Sequence, residues 1–211
     1  MNRLIARLRL YLVTDPHLCA GPGVEETVRQ AVSAGVTMVQ LRDKDSTTEL
    51  RVAKAQALKE VLRGTDVPLV INDDVEAARI AGVDGVHIGQ GDVSPAEARA
   101  LLGPDRILGL SCGSLDEVNA ADPALVDYLG LGPVFGTTTK PDHGLPFGLD
   151  GLARLVTQSV LPTVAIGGLK AEHHQAVLQC GADGSAIVSA ICGQPDILAA
   201  TRAFAESEKR P

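Results

Sequence analysis

Aromatic side chains are scarce in this 211-residue chain: Phe, Trp and Tyr together make up 2% of it, and Trp is absent. Proteins that stack single-stranded nucleic acid or sugar rings build their binding surfaces from such side chains. Positive charge is also in deficit, with 19 Lys and Arg against 26 Asp and Glu, which disfavours binding to a phosphate backbone. The sequence therefore predicts no nucleic-acid partner.

Long apolar runs are missing too. Arginines interrupt the apolar positions of residues 1–9, so this segment lacks the continuous apolar region of a secretory signal, and no segment has the length needed to cross a bilayer. The four cysteines lie far apart in the sequence, without the close pairs of a zinc knuckle or a redox motif. These absences predict a cytoplasmic protein with reduced thiols and no membrane partner.

What the sequence does contain is an ordinary globular composition, with 45% apolar and 21% charged residues. Its length suits one domain with a substantial core, and no Pro- or Ser-rich linker divides it. We therefore expect residues 1–211 to form a single domain.

Short apolar runs alternate with segments of helical periodicity along the chain, and this alternation predicts a parallel sheet. The predicted strands are Leu8–Val13, Val36–Leu41, Pro68–Ile71, Gly85–Ile88, Ile107–Leu110, Val126–Leu129, Thr163–Ile166 and Ser185–Val188. The predicted helices cover residues 24–34, 46–62, 74–81, 95–102, 115–121, 150–158, 171–179 and 195–207.

The turns ahead of three strands are alike. Ala34-Gly35-Val36-Thr37, Ala81-Gly82-Val83-Asp84 and Cys180-Gly181-Ala182-Asp183 each place a glycine just after a helix, where a left-handed cap is needed. Eight strand–helix units in 211 residues favour a closed (β/α)₈ TIM barrel, with an open doubly wound sheet as the alternative. The glycine fingerprints of dinucleotide-binding folds and of P-loops are absent from the sequence.

Polar side chains just beyond the strands of such a barrel all open onto one rim. Some of them have an ordinary role as helix caps: Ser46, Ser94 and Ser114 each begin a capping-box pattern, and Asp74 can cap the helix that follows it. Five others have no such role and are candidate site residues: Lys44, Asn72, Asp73, Asp92 and Ser111.

The second strand carries a candidate anion site. Gln40 and Arg42 share side-chain parity and point toward the barrel mouth if Val39 and Leu41 pack outward, and Lys44 follows in the loop. An arginine recognises oxygen anions in a bidentate manner, and a lysine adds a mobile charge. The alternative is a solvated charged loop in which Asp43 and Asp45 neutralise the two cations.

Two aspartates follow neighbouring strands and could meet at one metal ion. Asp73 comes after the third predicted strand and Asp92 after the fourth. Mg²⁺ usually takes one or two protein carboxylates and fills its other positions with water or phosphate. His87, within the fourth strand, is interpreted as a packed strand histidine, and His173-His174 as ordinary helix surface.

Three loops, after the sixth, seventh and eighth predicted strands, indicate further anion binding. Residues 130–141 combine glycines with Thr137, Thr138, Thr139 and Lys140, which together can surround a diphosphate. Ala165-Ile166-Gly167-Gly168-Leu169 and Ile187-Val188-Ser189-Ala190-Ile191 follow the seventh and eighth strands, where phosphate sites of these barrels are common. Close helix packing is the alternative reason for Gly167-Gly168. The sequence thus predicts a diphosphate site with a metal and a separate monophosphate site.

In this order and spacing, the motifs resemble the thiamine phosphate synthase family over nearly the whole chain, from Tyr11 to Ile191. The motifs that carry the resemblance are Val39-Gln40-Leu41-Arg42-Asp43-Lys44, Ile71-Asn72-Asp73-Asp74, Gly85-Val86-His87-Ile88-Gly89-Gln90-Gly91-Asp92, Gly132-Pro133-Val134-Phe135-Gly136-Thr137-Thr138-Thr139-Lys140 and Ile166-Gly167-Gly168. The resemblance implies an enzyme that joins hydroxymethylpyrimidine diphosphate to a thiazole phosphate, releases pyrophosphate and requires Mg²⁺.

The resemblance also implies roles for individual residues. Those that would hold the pyrimidine diphosphate are Gln40, Arg42, Lys44 and Asn72, with Ser111 and Lys140 at its diphosphate end; Asp73 and Asp92 would hold the metal; and Thr137, Thr139, Gly168, Val188 and Ser189 would hold the thiazole phosphate. We expect Arg42, Lys44, Ser111 and Lys140 to be catalytic, because the three cations neutralise charge on the leaving diphosphate and Ser111 lies at its diphosphate end.

Three other functions are alternatives to this one. A thiazole tautomerase-like isomerase on the same barrel would need no diphosphate–metal site. A Schiff-base lyase would need a desolvated Lys140, for which a hydroxyl-rich loop is a poor place. A non-catalytic regulator would bind the small-molecule precursors of thiamine without turnover. Homo-oligomerisation is left open by the sequence.

Overall fold

Eight parallel strands close into a barrel in a computed structural model that describes residues 3–137 and 144–207. Each strand pairs with the next along the chain, and β8 pairs with β1. The strands are β1 (Leu10–Val13), β2 (Met38–Leu41), β3 (Leu69–Asn72), β4 (Gly85–Ile88), β5 (Ile107–Cys112), β6 (Tyr128–Leu131), β7 (Thr163–Ile166) and β8 (Gly184–Ile187). The barrel prediction is confirmed, and the open sheet is wrong because β8 leaves no free edge beside β1.

Helices connect the strands and cover the outside of the barrel. They are α1 (Arg3–Leu8), α2 (Val24–Ser33), α3 (Thr48–Leu62), α4 (Val75–Ala81), α5 (Pro95–Leu102), α6 (Leu115–Ala120), α7 (Gly148–Gln158), α8 (Ala171–Gln179) and α9 (Ile197–Ser207). Within the described ranges, none of these helices combines the length and the apolar character needed to cross a membrane.

The short helix α1 was not expected from the sequence. It ends at Leu8, which is fully buried, and Leu4 packs partly buried against the same interior cluster. Together they fill the amino end of the barrel. The strand predicted to begin at Leu8 is therefore too long at its start, because Leu8 is the last residue of a helix. β1 accordingly begins at Leu10.

Two apolar layers hold the structure together. Side chains that point into the barrel form a small cluster of Leu8, Tyr11, Val13, Met38, Val70, Tyr128, Val164 and Ala186. A much larger cluster lies between the strands and the helices, and it contains Val39 and Leu41. Gln40 lies between those two residues in β2 and points inward, as its parity predicted, because successive side chains of a strand alternate between faces.

The repeated turns each end in a side chain that accepts a hydrogen bond at the amino end of the barrel. Thr37, Asp84, Asp127 and Asp183 each precede an even-numbered strand. The side chain of each accepts a hydrogen bond of 2.7–2.9 Å from a backbone N–H in the preceding odd-numbered strand. This bond fixes the register of each strand pair where the ladder of backbone hydrogen bonds begins.

The helix caps predicted from the sequence are largely confirmed. Ser94 forms a capping box with Glu97, and Asp74 accepts a hydrogen bond of 2.8 Å from the N–H of Ala77. Ser114 caps α6. The prediction for Ser46 is wrong: Thr47 caps α3, and the Ser46 hydroxyl donates instead to Asp43 at 2.7 Å.

The interpretation of His174 as surface is also wrong. Its side chain is buried, and its Nδ1 lies 2.8 Å from the hydroxyl of Ser185 on β8. The imidazole edge also packs against the ring of Phe204 on α9. His174 therefore joins α8 to both β8 and α9.

We predict that the side chains directly ahead of the even-numbered strands stabilise the barrel through their acceptor oxygens. Asp84→Ala removes the acceptor for the N–H of Leu69 and should lower the free energy of unfolding by about 1 kcal/mol. Asp84→Asn keeps a carbonyl oxygen in the same place and should recover most of that loss. Chemical denaturation of the three proteins tests this, and equal stability of the Ala and Asn variants would contradict it.

Candidate active site

A cleft of about 350 Å³ opens at the carboxyl ends of β2 and β3. It is lined by Asp43, Lys44, Arg51, Asn72, Asp73 and Asp74. Asn72 ends β3, and Asp73 follows it directly. Three of the candidate site residues, Lys44, Asn72 and Asp73, therefore share one cleft.

Asp73 has an unusual backbone conformation at this rim. Its φ is 64°, and it is the one non-glycine residue with positive φ among the described residues. Aspartate is one of the few side chains that tolerate this region, and such positions are often found at functional sites. The N–H of Asp73 donates to the carbonyl oxygen of His87 in β4 at 2.8 Å, which holds the residue beside the end of the neighbouring strand.

Asp73 and Asp92 form a pair of neighbouring carboxyl groups. The pKa of Asp73 is raised to about 6, first because the group is partly buried and then because Asp92 lies within hydrogen-bonding reach and repels its negative charge. The nearby ammonium of Lys44 acts in the opposite direction. Two carboxylates that repel each other are a suitable site for a hard divalent cation.

Asp92 has a structural role that the sequence did not indicate. Its Oδ2 accepts a hydrogen bond of 2.7 Å from the N–H of Gly89, which closes the turn after β4. This contact fixes the carboxyl group in place. Among the described residues, no group of three or more His, Cys, Asp and Glu side chains surrounds a single point, so a cation here would need ligands from water or substrate as well.

Arg42 is oriented by Asp15, a residue that the sequence analysis did not select. The guanidinium lies 3.4 Å from Oδ2 of Asp15, and both side chains are largely buried. The other oxygen of Asp15 accepts from the N–H groups of His17 and Leu18 at 3.0 and 3.1 Å. The carboxylate therefore fixes both the loop after β1 and the arginine.

The alternative partners proposed for the cations of this loop are not the ones observed. Asp43 pairs with Lys54 of α3, and Asp45 pairs with His17 at 3.1 Å on the surface. Neither aspartate forms an ion pair with Arg42 in the part of the chain that the structure describes.

Arg51 holds the backbone that carries Lys44. It donates to the carbonyl oxygens of Asp43 and Lys44 at 2.8 and 3.3 Å, and to Oδ2 of Asp74 at 2.8 Å. The arginine thus joins the loop after β2 to the start of α4. No pattern in the sequence indicated this role, because Arg51 lies within the first turns of α3 and not in a loop.

The interior of the barrel beneath this cleft contains Gln40, His87 and Ser111. Nε2 of His87 lies 2.9 Å from the Ser111 hydroxyl, and the amide of Gln40 donates to the Tyr11 hydroxyl at 2.6 Å. His87 is buried in β4, so its interpretation as a packed strand histidine is confirmed. Ser111, like Asp92, forms a hydrogen bond within the protein.

The loops after β6, β7 and β8 form the other part of the rim. Gly167 and Gly168 have φ of 104° and 62°, and a Cβ on Gly168 would lie 2.5 Å from the carbonyl oxygen of Gly136. Close packing therefore requires these glycines, although against the loop after β6 and not against a helix. Thr137 directly follows Gly136 and so lies near Gly168.

After β8, Val188 is half-buried and Ser189 is exposed at the start of a hydrogen-bonded turn, in which the N–H of Cys192 donates to the carbonyl oxygen of Val188 at 2.8 Å. The predicted residues Thr139 and Lys140 lie outside the described residues.

Comparison with known proteins agrees with this arrangement. A sequence model of the thiamine monophosphate synthase family matches residues 10–191. The chain belongs to this family. A thiamine-phosphate synthase of Azorhizobium caulinodans is 51% identical over 195 residues, which are 92% of each chain. A thiamine-phosphate synthase of a Psychrobacter species is also 51% identical, over 198 residues and 92% of each chain.

A solved structure of thiamine phosphate pyrophosphorylase from Pyrococcus furiosus has the same fold. It superposes with a TM-score of 0.88 at 33% identity and covers 98% of each chain. The likeness extends over the whole barrel.

We predict that Asp43 stabilises the loop carrying Arg42 and Lys44, and that this effect depends on pH. Burial raises the pKa of Asp43, but hydrogen bonds from Lys54 and Ser46 outweigh it and hold the pKa below its ordinary value. The stabilisation is therefore complete above the unfolded-state pKa of about 3.9 and is lost as the pH falls through the lower folded-state pKa.

Asp43→Asn should lower the free energy of unfolding by about 1–3 kcal/mol at neutral pH, and the difference from the parent protein should shrink below about pH 4. Asp45→Asn is the matched control, because its partner and its own side chain are exposed; a change within about 0.5 kcal/mol is expected there. Denaturation at a series of pH values gives both results. A loss that stays constant down to pH 3 would show that the charge of Asp43 is not responsible.

Proposed function

We propose that this protein is a thiamine phosphate synthase that joins hydroxymethylpyrimidine diphosphate to a thiazole phosphate with the help of Mg²⁺ and releases pyrophosphate. The observation that carries the proposal is the neighbouring pair Asp73 and Asp92 beside Lys44 at the barrel rim. Two carboxylates next to a cation suit a metal-bound diphosphate, and membership of the family supports a thiamine precursor as the molecule that carries it.

The pyrimidine diphosphate would lie along the loops after β2 to β5. Gln40, Arg42 and Asn72 would contact the substrate, with Arg42 already oriented by Asp15. Lys44, Ser111 and Lys140 would contact its diphosphate end. An arginine held by a buried carboxylate keeps its remaining N–H groups in a fixed direction, which suits recognition of phosphate oxygens.

The residues present fit a Mg²⁺ ion. Asp73 and Asp92 would hold it through carboxylate oxygens, and water and diphosphate oxygens would complete its shell. When bound, the ion would neutralise negative charge on the leaving diphosphate. Arg42, Lys44 and Lys140 would add positive charge to the same oxygens.

The thiazole phosphate would bind across the barrel mouth. The residues proposed to hold it are Thr137, Thr139, Gly168, Val188 and Ser189. The loops after β6 and β7 are in contact at Gly136 and Gly168, so amide and hydroxyl groups from both can reach one phosphate. Loops after the seventh and eighth strands are frequent phosphate sites in this architecture.

The proposed reaction needs no protein nucleophile. The bond between the pyrimidine methylene carbon and the diphosphate oxygen breaks first, and the amino-substituted ring stabilises the resulting cation. The thiazole nitrogen then donates its electron pair to the methylene carbon. The protein holds the two substrates in line and stabilises the departing pyrophosphate by fixed charges and dipoles, which is electrostatic preorganisation.

We predict that the protein releases one pyrophosphate per thiamine phosphate when both substrates and Mg²⁺ are supplied, and that a chelator abolishes this release. A pyrophosphate assay with and without EDTA measures both. A tautomerase-like isomerase would turn over a thiazole substrate in the presence of EDTA, and a regulator would bind the precursors without release. Borohydride should trap no adduct, because no Schiff base forms.

We also predict that Asp92→Ala and Lys140→Ala lower kcat by roughly 10²–10³-fold, the loss typical of a group that stabilises transition-state charge. The free energy of unfolding should change by no more than about 1 kcal/mol. Asp105→Ala is the control, since this exposed aspartate precedes β5 at the opposite end of the barrel. Near-normal turnover of both site variants would overturn the assignment.

The substrates proposed are small molecules. A cytoplasmic location and the lack of a nucleic-acid partner are predictions from the sequence and stay so, whereas the sequence predicts no particular state of oligomerisation.

A further inference from the structure

We propose that Tyr11, Tyr128 and His87 form a hydrogen-bond relay of fixed direction through the barrel interior, which positions Gln40 at one end and Ser111 at the other. The three are positioning residues, and the proposal rests on the substrate roles proposed for Gln40 and Ser111. The relay would orient the groups at the pyrimidine end and at the diphosphate end of the same substrate together.

The contacts form one unbroken chain. The Gln40 amide donates to the Tyr11 hydroxyl at 2.6 Å, and the Tyr11 hydroxyl lies 2.9 Å from that of Tyr128. The Tyr128 hydroxyl lies 2.8 Å from Nδ1 of His87, and Nε2 of His87 lies 2.9 Å from the Ser111 hydroxyl. Four hydrogen bonds thus connect β2, β1, β6, β4 and β5.

The direction of the relay follows from the donors available. Each tyrosine hydroxyl carries one hydrogen, and an amide nitrogen can only donate. Because Tyr11 accepts from Gln40, the arrangement that uses every hydroxyl hydrogen within the chain has Tyr11 donating to Tyr128 and Tyr128 donating to Nδ1 of His87. With Nδ1 as the acceptor, the imidazole carries its hydrogen on Nε2 and donates to Ser111.

This direction has a consequence at each end. Ser111 accepts from His87, so its own hydrogen is directed away from the ring and is available to an oxygen of the leaving diphosphate. Gln40 uses an N–H toward Tyr11, which leaves its carbonyl oxygen to accept from an amino group on the pyrimidine. The relay therefore favours a substrate with a donor at the ring and an acceptor at the leaving group.

Burial keeps the two tyrosines of the relay uncharged. Tyr11 and Tyr128 are at most 1% exposed, and burial raises the pKa of both phenols far above the ordinary value. Each hydroxyl therefore keeps its hydrogen throughout the neutral pH range. A hydrogen bond in such an interior is costly to break, because the group left behind has no water to replace its partner.

Two glycines make room for the rings. A Cβ on Gly109 of β5 would lie 2.2 Å from the Tyr128 ring and 2.4 Å from Nδ1 of His87. A Cβ on Gly130 of β6 would lie 3.0 Å from the His87 ring. Glycine lowers the stability of a strand when it lies in the interior of that strand. The presence of two such glycines beside the imidazole of His87 therefore indicates that the position of this ring is important.

The first experiment determines which nitrogen of His87 carries the hydrogen in the substrate-free protein, by long-range ¹H–¹⁵N NMR, with His87→Gln used to assign the signals. We expect the Nε2–H tautomer. If the amide of Gln40 had the opposite orientation, every bond would reverse and His87 would carry its hydrogen on Nδ1, so that result would overturn the proposal. This measurement does not depend on turnover.

The second experiment removes one hydroxyl with Tyr128→Phe. We expect a mixture of His87 tautomers and a fall in kcat of about tenfold, smaller than the roughly 10²–10³-fold loss on removing a charge-stabilising donor itself. The KM for the thiazole phosphate should stay unchanged. Tyr11→Phe should give the same changes, and it replaces Tyr128→Phe if that variant does not fold.

Val164→Ala is the matched control, because it shortens an apolar side chain of the same interior cluster. It should lower the free energy of unfolding without changing the His87 tautomer or kcat. If the tyrosine variants behave like Val164→Ala, the hydroxyls are structural only and the proposal fails. If the parent protein releases no pyrophosphate, the proposed function fails, whereas the tautomer result still tests the relay.

Discussion

Pairing of β8 with β1 decides where every loop of this protein lies. A parallel barrel sends all strand ends with the same polarity to one rim, so residues separated by more than a hundred positions in the chain become neighbours. The register of this barrel is supported at the opposite end by Thr37, Asp84, Asp127 and Asp183, which bond to the backbone of the preceding odd-numbered strands. The site at the carboxyl end of the barrel therefore depends on barrel closure and on hydrogen bonds at the amino end that fix the strand register.

The rim concentrates charge of both signs in fixed positions. Asp15 orients Arg42, Arg51 holds the backbone around Lys44, and the turn closed by Asp92 sets the distance between the carboxyl groups of Asp92 and Asp73. Bringing two carboxylates together opposes folding unless a cation is present, and the pKa of Asp73 is raised first by its burial and then by this neighbouring carboxyl group. The proposed Mg²⁺ would offset this repulsion.

Much of the architecture could be predicted from the sequence, because the alternation of apolar runs and helical segments is local information. The inward direction of Gln40 followed from parity in the same way. Asp15 and Arg51 could not be found by this reasoning, since their importance comes from contacts between different loops. His174 resembled a surface residue because its partner Ser185 belongs to another element.

The interior network was hidden for the same reason. Tyr11 and Tyr128 are 117 positions apart, and only the closed barrel brings their hydroxyls together. Two features of the sequence point to this network. The chain has only two tyrosines, and both lie in strands. Gly109 and Gly130 also lie inside strands. Glycine in a strand often marks a close approach of another group.

The central claim is that groups gathered at one rim bind a metal and a diphosphate together. A crystal structure of the protein grown with Mg²⁺ and pyrophosphate tests it most directly. We expect an ion held by Asp73 and Asp92, with the pyrophosphate beside Arg42 and Lys44. An ion and a pyrophosphate bound together elsewhere, with the two aspartates left apart from both, would contradict it.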